Sequence, residues 1–162
     1  MTQALNTRGP DETLSLGERM GRLLKPLDIL CLRGELGSGK TTFVSGLVRG
    51  LGIPAPVQSP TFTLERIYRR KGLVFHHFDL YRVAAAHTGD VGIEAALQDP
   101  AGVIAIEWPE SGDIYLPGDR LDLRFFHSQG DARRIRIEAR GQRPKEILAA
   151  LMRCGRSRRK AS

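Results

Sequence analysis

Eight consecutive residues, Gly34-Glu35-Leu36-Gly37-Ser38-Gly39-Lys40-Thr41, form a complete G-x-x-x-x-G-K-[ST] loop. That spacing binds phosphate. Its glycines let the backbone turn tightly and bring successive N–H groups to a phosphate chain. Its lysine sets an ammonium at the outer two phosphates, and its final hydroxyl can replace one water on Mg²⁺. A nucleoside triphosphate is the expected ligand. Hydrolysis would need two more groups, a carboxylate at the metal and a group that orients water. Asp79 and Glu107 qualify, because each follows a buried strand-like run, Leu73 to Phe78 and Val103 to Ile106. The carboxyl ends of strands in an α/β sheet face the ligand crevice. Either acid could hold Mg²⁺, directly or through water, while the other orients the attacking water.

Other residues with chemical potential are less decisive. Ser59-Pro60-Thr61-Phe62-Thr63 places three hydroxyls around a proline, in the region that closes over the γ-phosphate in triphosphatases. Trp108, the single tryptophan, follows Glu107 and suits either a core position or packing over a nucleotide or partner. His76 and His77 are adjacent on a strand, so they point to opposite faces and cannot share one metal. His87 and His127 fall in expected loops, and structural or solvated roles are expected for all four histidines. Guanine selection would require an N-K-x-D segment, yet Asn6 is the only asparagine, which favours ATP over GTP.

The elements that must position these groups follow from periodicity. Asp11 to Leu24 carries Leu16, Met20, Leu23 and Leu24 at helical spacing, and Pro26 ends it. Ile29 to Leu32 reads as a buried strand entering the loop, and Thr41 to Arg49 as a helix leaving it, its N-terminus aimed at the phosphates. Thr63 to Tyr68 and Leu73 to Phe78 form a hairpin across Arg70-Lys71-Gly72. Ile93 to Leu97 is a short helix, and Val103 to Ile106 has the continuous apolar character of a parallel strand. Leu121, Leu123 and Phe125, then Ile135 and Ile137, alternate with polar residues as a second hairpin. Pro144 opens a final helix over Lys145 to Arg153. The sum is an α/β fold, a P-loop NTPase-like three-layer α/β/α sandwich with a mixed parallel and antiparallel sheet.

A chain of 162 residues suits one domain. The net charge is +7, but Arg153, Arg156, Arg158, Arg159 and Lys160 lie beyond residue 152, and without those five it falls to +2. We therefore expect a domain over residues 1–152 and a basic, solvated tail over 153–162, with no uniformly positive platform on the body. No apolar run approaches the ~20 residues of a membrane span, so no membrane partner is expected. Cys31 reads as a buried thiol, and with Cys154 as the only other cysteine the usage fits a reducing cytoplasm.

Four segments together resemble one family. Gly34 to Thr42, Ser59-Pro60-Thr61-Phe62-Thr63-Leu64, His77-Phe78-Asp79-Leu80-Tyr81-Arg82 and Ile106-Glu107-Trp108-Pro109-Glu110 occur in the order and spacing of the TsaE (YjeE) family. That family comprises the bacterial ATPases needed for threonylcarbamoyladenosine at position 37 of ANN-decoding tRNAs. The resemblance covers roughly residues 11 to 141. It implies that Gly37, Ser38, Gly39, Lys40, Thr41 and Thr42 cradle the ATP phosphates, with Lys40 at the β/γ-phosphates and Thr41 on Mg²⁺. Glu107 corresponds to the acidic residue at the metal, Asp79 to a second active-site carboxylate and Thr61 to a switch-like threonine. Thr13 resembles a position near the base, and Arg134 a nucleotide-side arginine. A TsaB–TsaD-like complex is the implied protein partner, with tRNA contacted indirectly or transiently. Ser111 departs from the basic residue that often follows Glu-Trp-Pro-Glu in relatives. Two other readings use the same residues. One is a small P-loop kinase with Arg66, Arg69, Arg70 and Lys71 as a lid. The other is a nucleotide-gated RNA-binding module using Arg153 to Lys160.

Overall fold

The computed structural model describes residues 1–60, 63–82, 92–111 and 115–156. Seven strands form one sheet in the order β1-β7-β6-β2-β5-β4-β3. These are β1 Thr2–Thr7, β2 Ile29–Arg33, β3 Glu65–Arg70, β4 Leu73–Asp79, β5 Gly102–Glu107, β6 Arg120–His127 and β7 Arg133–Arg140. β6, β2, β5 and β4 run parallel in the centre, while β1, β7 and β3 join through antiparallel pairs. β5 is buried at every position, as expected of a central strand covered on both faces.

Helices α1 (Pro10–Gly21), α2 (Lys40–Gly50) and α4 (Gln142–Arg156) cover one face. The larger core lies there, built from Leu16 and Met20, Phe43 and Leu47, Leu148 and Leu151, and the inward residues of β6 and β7. The short α3 (Ile93–Leu97) closes a smaller core with Phe78, Ile104 and Ile106 on the other face. The sandwich is thus three-layered but unequal, with its second helical layer confined to the β5 side.

The seam between α1 and α2 is made of glycine. Gly17 and Gly21 on α1 meet Gly46 and Gly50 on α2, each pair one helical turn apart. A Cβ at Gly17 would overlap the Phe43 carbonyl oxygen, one at Gly46 the Leu14 oxygen, and one at Gly50 the Glu18 oxygen. Glycine removes those atoms and lets the two backbones touch. A bidentate fork then fixes α4, with Arg143 donating to both oxygens of the buried Asp28 at 3.1 and 2.9 Å and to the Leu23 carbonyl at 2.7 Å.

The elements differ from expectation in four places, the first being β3, expected over Thr63 to Tyr68 and found at Glu65–Arg70, where its ladder to β4 begins with Glu65 opposite Phe78. β1 was not evident in the sequence because only Leu5 among its inward residues is strongly apolar. The strand exists through its ladder to β7, Thr2 opposite Glu138 through Thr7 opposite Arg133. α1 stops at Gly21, where Leu23 and Leu24 N–H donate in tight turns to Met20 and Gly21. α4 begins at Gln142, with Pro144 inside its first turn, and its backbone continues through Arg156, beyond the boundary expected for the tail. Residues 157–162 lie outside the described residues. Among the described residues no helix is long and apolar enough to cross a membrane. Cys31 is fully buried, and burial, with the nearby Asp122 charge, pushes its thiol up to about 12.

Gly46→Ala tests the seam. On propensity alone alanine would stabilise a helix by about 1 kcal/mol. Here we expect a net loss of about 1–3 kcal/mol from overpacking, read as a lower urea midpoint at unchanged m-value.

Candidate functional site

β2 delivers the chain to the phosphate loop at the carboxyl edge of the sheet, and α2 carries it away. Gly34, Gly37 and Gly39 all take positive φ, 141°, 73° and 98°. At Gly34 glycine is required twice, since a Cβ would also come within 2.6 Å of the Phe125 carbonyl oxygen and 2.9 Å of Ser38 Oγ. Gly39 caps α2, whose unpaired N–H groups point into the loop. Ser38 and Lys40 are buried, and Lys40 Nζ donates to the carbonyls of Gly34 at 2.7 Å and Glu35 at 2.9 Å. The same ammonium lies 4.3 Å from the centroid of the Trp108 ring. Burial holds the Lys40 ammonium below the ordinary lysine value, against the opposing pull of Glu107, Asp79 and Glu110.

The carboxylates come together. Asp79 and Glu107 are Cα partners at the ends of parallel β4 and β5, and both are buried. Thr41 Oγ1, in the first turn of α2, donates to Glu107 at 3.2 Å. His77 Nε2 lies 2.9 Å from the same Glu107 oxygen, on a ring with no exposed surface. Asp79 accepts from Ser59 Oγ at 3.0 Å and from the Tyr81 N–H at 3.0 Å. Its own N–H donates to the Leu64 carbonyl at 3.0 Å. Both ends of the Ser59–Leu64 loop are thereby tied to Asp79, although Thr61 itself lies outside the described residues. Leu64 and Trp108 flank the two acids at φ 63° and 57°, left-handed conformations unusual for such side chains. Tyr81 packs against Trp108 at 4.9 Å between ring centroids.

Thr13 stands at the start of α1, buried and bonded to Thr7 Oγ1 at 2.8 Å, and its methyl is close to Gly39. Arg134 is exposed on the face of β7 turned away from the α1–α2 layer. Its neighbour Arg133 is the side chain at the loop, donating to the Gly37 carbonyl at 3.3 Å. Arg66, Arg69 and Arg70 lie on β3 at the edge of the sheet, with Lys71 in the following turn. His77 was missed as a site residue, although the strand alternation that separates it from His76 puts it on the same face as Asp79. That parity was the available signal. His76 serves elsewhere, between Glu65 at 2.8 Å and Asp99 at 2.9 Å.

The donor set fits Mg²⁺ better than a caged transition metal. Thr41 and Glu107 supply hard oxygens within 3.2 Å of each other, with Asp79 in register beside them. Among the described residues, no three or more His, Cys, Asp and Glu side chains are arranged to hold a metal alone. Mg²⁺ at nucleotide sites is characteristically held by one or two protein oxygens, with phosphates and water completing the shell.

A mixed sheet, a strand feeding a glycine loop and a helix leaving it define a P-loop α/β protein. The profile of the family described as "Threonylcarbamoyl adenosine biosynthesis protein TsaE" matches residues 7–135. The tRNA threonylcarbamoyladenosine biosynthesis protein TsaE of Bacillus subtilis is 35% identical over 147 residues, covering 91% of this chain and 92% of its own. Its counterpart from Streptomyces coelicolor is 38% identical over 138 residues, covering 79% and 90%. The crystal structure of Bacillus subtilis YdiB superposes with a TM-score of 0.78 at 30% identity, covering 96% of this chain and 97% of that one. The chain belongs to the TsaE family.

His77 should be measurable through Glu107. His77→Phe leaves a buried carboxylate without its imidazole partner and should cost about 1–3 kcal/mol. His77→Gln retains a donor and should recover much of that loss in urea unfolding.

Proposed function

We propose that this protein is an ATP-binding and ATP-hydrolysing subunit of the machinery that makes N6-threonylcarbamoyladenosine at position 37 of tRNA. It would act in the cytoplasm with TsaB–TsaD-like partners. Family membership supports the pathway. The observation that carries the enzymatic part is the Thr41–Glu107–His77 chain at the phosphate loop, its acid and imidazole buried, with Asp79 in register beside it. The absence of an N-K-x-D segment favours adenine over guanine.

In this reading the backbone N–H groups of Gly37 to Thr42 bind the phosphates, and Lys40 swings from the Gly34 and Glu35 carbonyls to the β- and γ-phosphate oxygens. Thr41 Oγ1 and the Glu107 carboxylate would hold Mg²⁺, which neutralises charge building on the transferred phosphoryl group. His77 fixes the orientation of Glu107 from behind. Asp79, aimed by Ser59 and the Tyr81 N–H, orients the attacking water, and Thr61 acts from the adjoining loop. Thr13 is assigned to the nucleotide's base side, and the nucleotide-side arginine that the resemblance implied at Arg134 is assigned instead to Arg133, because Arg134 faces away from the loop. Arg133 is the stronger arginine for that role because of its bond to the loop. Hydrolysis supplies an ATP-driven reset to the partners, and the threonylcarbamoyl transfer belongs to them.

Turnover measured alone and with a TsaB–TsaD complex and tRNA tests the proposal, with slow intrinsic hydrolysis and clear stimulation expected. Equal turnover in both conditions counts against it. Lys40→Ala should weaken ATP binding or turnover by at least tenfold, about 1.4 kcal/mol at the outer phosphates. Glu107→Ala should lower Mg²⁺-dependent turnover by roughly 100-fold or more, a size typical for loss of an electrostatic stabiliser, while changing nucleotide affinity far less.

A further inference from the structure

The part of the sheet formed by β1, β7 and β6 is covered by helices on one face only, and β2 beside it is buried on both faces until Arg33. Leu121, Leu123 and Phe125 of β6, and Ile135, Ile137 and Ala139 of β7, enter the core beneath α1, α2 and α4. The smaller core on the opposite face takes nothing from β1, β6 or β7. Burial accordingly alternates along both β6 and β7, and the outward positions are nearly all charged. Arg120, Arg124, Arg134, Arg136 and Arg140 occupy that face, and Arg33 at the end of β2 stands in register with Arg124. Side chains from this set line a concavity of about 300 Å³ with Asp122 and Glu138.

Three acids answer six arginines, and they are already engaged. Asp122 accepts from Arg33 at 2.6 Å, Arg120 at 3.2 Å and Arg140 at 2.7 Å. Glu110 pairs with Arg33 at 3.5 Å and Glu138 with Arg140 at 3.1 Å. Burial would raise the Asp122 carboxyl, but the Arg33 and Arg120 guanidiniums outweigh it and hold it below the ordinary aspartate value. Arg124, Arg134 and Arg136 have no ion-pair partner among the described residues. Arg124 and Arg136 are directly opposite each other across β6 and β7. Like charges in that relation destabilise a sheet. The body is therefore not evenly near-neutral, because cations outnumber acids on this face.

We propose that this face docks an unpaired RNA segment, with its phosphates on Arg124, Arg134 and Arg136 and bases stacked against Phe126. Guanidiniums bind phosphate oxygens in planar pairs. Successive outward residues lie about 7 Å apart along a strand and about 5 Å apart across strands, so the three cations form a close two-dimensional array. Phe126 is directly opposite Arg134 on the same face and 40% exposed. An exposed aromatic ring among arginines is a platform for unstacked bases. An acidic protein would satisfy the arginines but gives that ring no role. A further cavity of about 510 Å³, lined by Arg33, Arg124, Phe126, Trp108, Gly34 and Glu35, joins the face to the start of the phosphate loop. The proposal does not depend on ATP hydrolysis.

The test is fluorescence anisotropy of the full chain with a labelled single-stranded RNA oligonucleotide, titrated across a range of salt. R124Q/R136Q should weaken binding at least tenfold and reduce the log–log salt slope by about 1.4, the value for two lost single-strand phosphate contacts. Its Tm should not fall, because a like-charge pair has been removed. R124K/R136K should keep the salt slope while binding less tightly. Phe126→Ala should weaken binding by roughly tenfold without changing the slope. Truncation after Arg156 should leave all these differences in place. Wild-type affinity and slope in R124Q/R136Q would overturn the proposal. So would binding that vanishes on truncation, or displacement of RNA by poly-glutamate at equal charge concentration, which would assign the face to an acidic protein.

Discussion

The contact on which the site depends is backbone against backbone, between Gly17 and Gly21 of α1 and Gly46 and Gly50 of α2. Helices separated by ordinary side chains sit 8–10 Å apart. With no side chain between them, α1 is drawn against the helix that leaves the phosphate loop, and Thr13 reaches Gly39. β1, which leads directly into α1, is carried to the outer side of β7 and ties Thr7 to Thr13. The placement of the loop's α1 side therefore follows from four missing methyl groups.

The other side of the loop is governed by strand register. β4 and β5 end together, so Asp79 and Glu107 emerge side by side, and parity puts His77 one pleat behind them on the same face. Polar groups this buried need hydrogen-bond partners. Thr41 and His77 serve Glu107, while Ser59 and the Tyr81 N–H serve Asp79. The result is a polar layer between sheet and α2 that is pre-oriented without depending on any single long side chain.

Much of this was legible from the residue pattern. The phosphate loop, the two strand-end acids, the hairpins and the short helix Ile93–Leu97 all rest on local signals, periodicity or turn chemistry, and those elements formed as expected except that β3 starts and ends two residues later. What was not legible depended on long-range pairing. β1 has too little apolar character to announce itself and is defined by β7. His77 acquires its place from an acid thirty positions away. The division of basic residues between body and tail was correct as arithmetic. Composition cannot show that the alternation in β6 and β7 sorts arginines to one face and leucines or isoleucines to the other.

Lys40 has a consequence for how a nucleotide comes and goes. With its ammonium bonded to the Gly34 and Glu35 carbonyls and resting near Trp108, the loop satisfies its own cation. An incoming triphosphate must compete with these internal acceptors, so part of its attraction is cancelled before net affinity appears. The same acceptors wait beside the lysine when the phosphates depart. Exchange of one set of oxygens for another would leave the buried ammonium paired throughout.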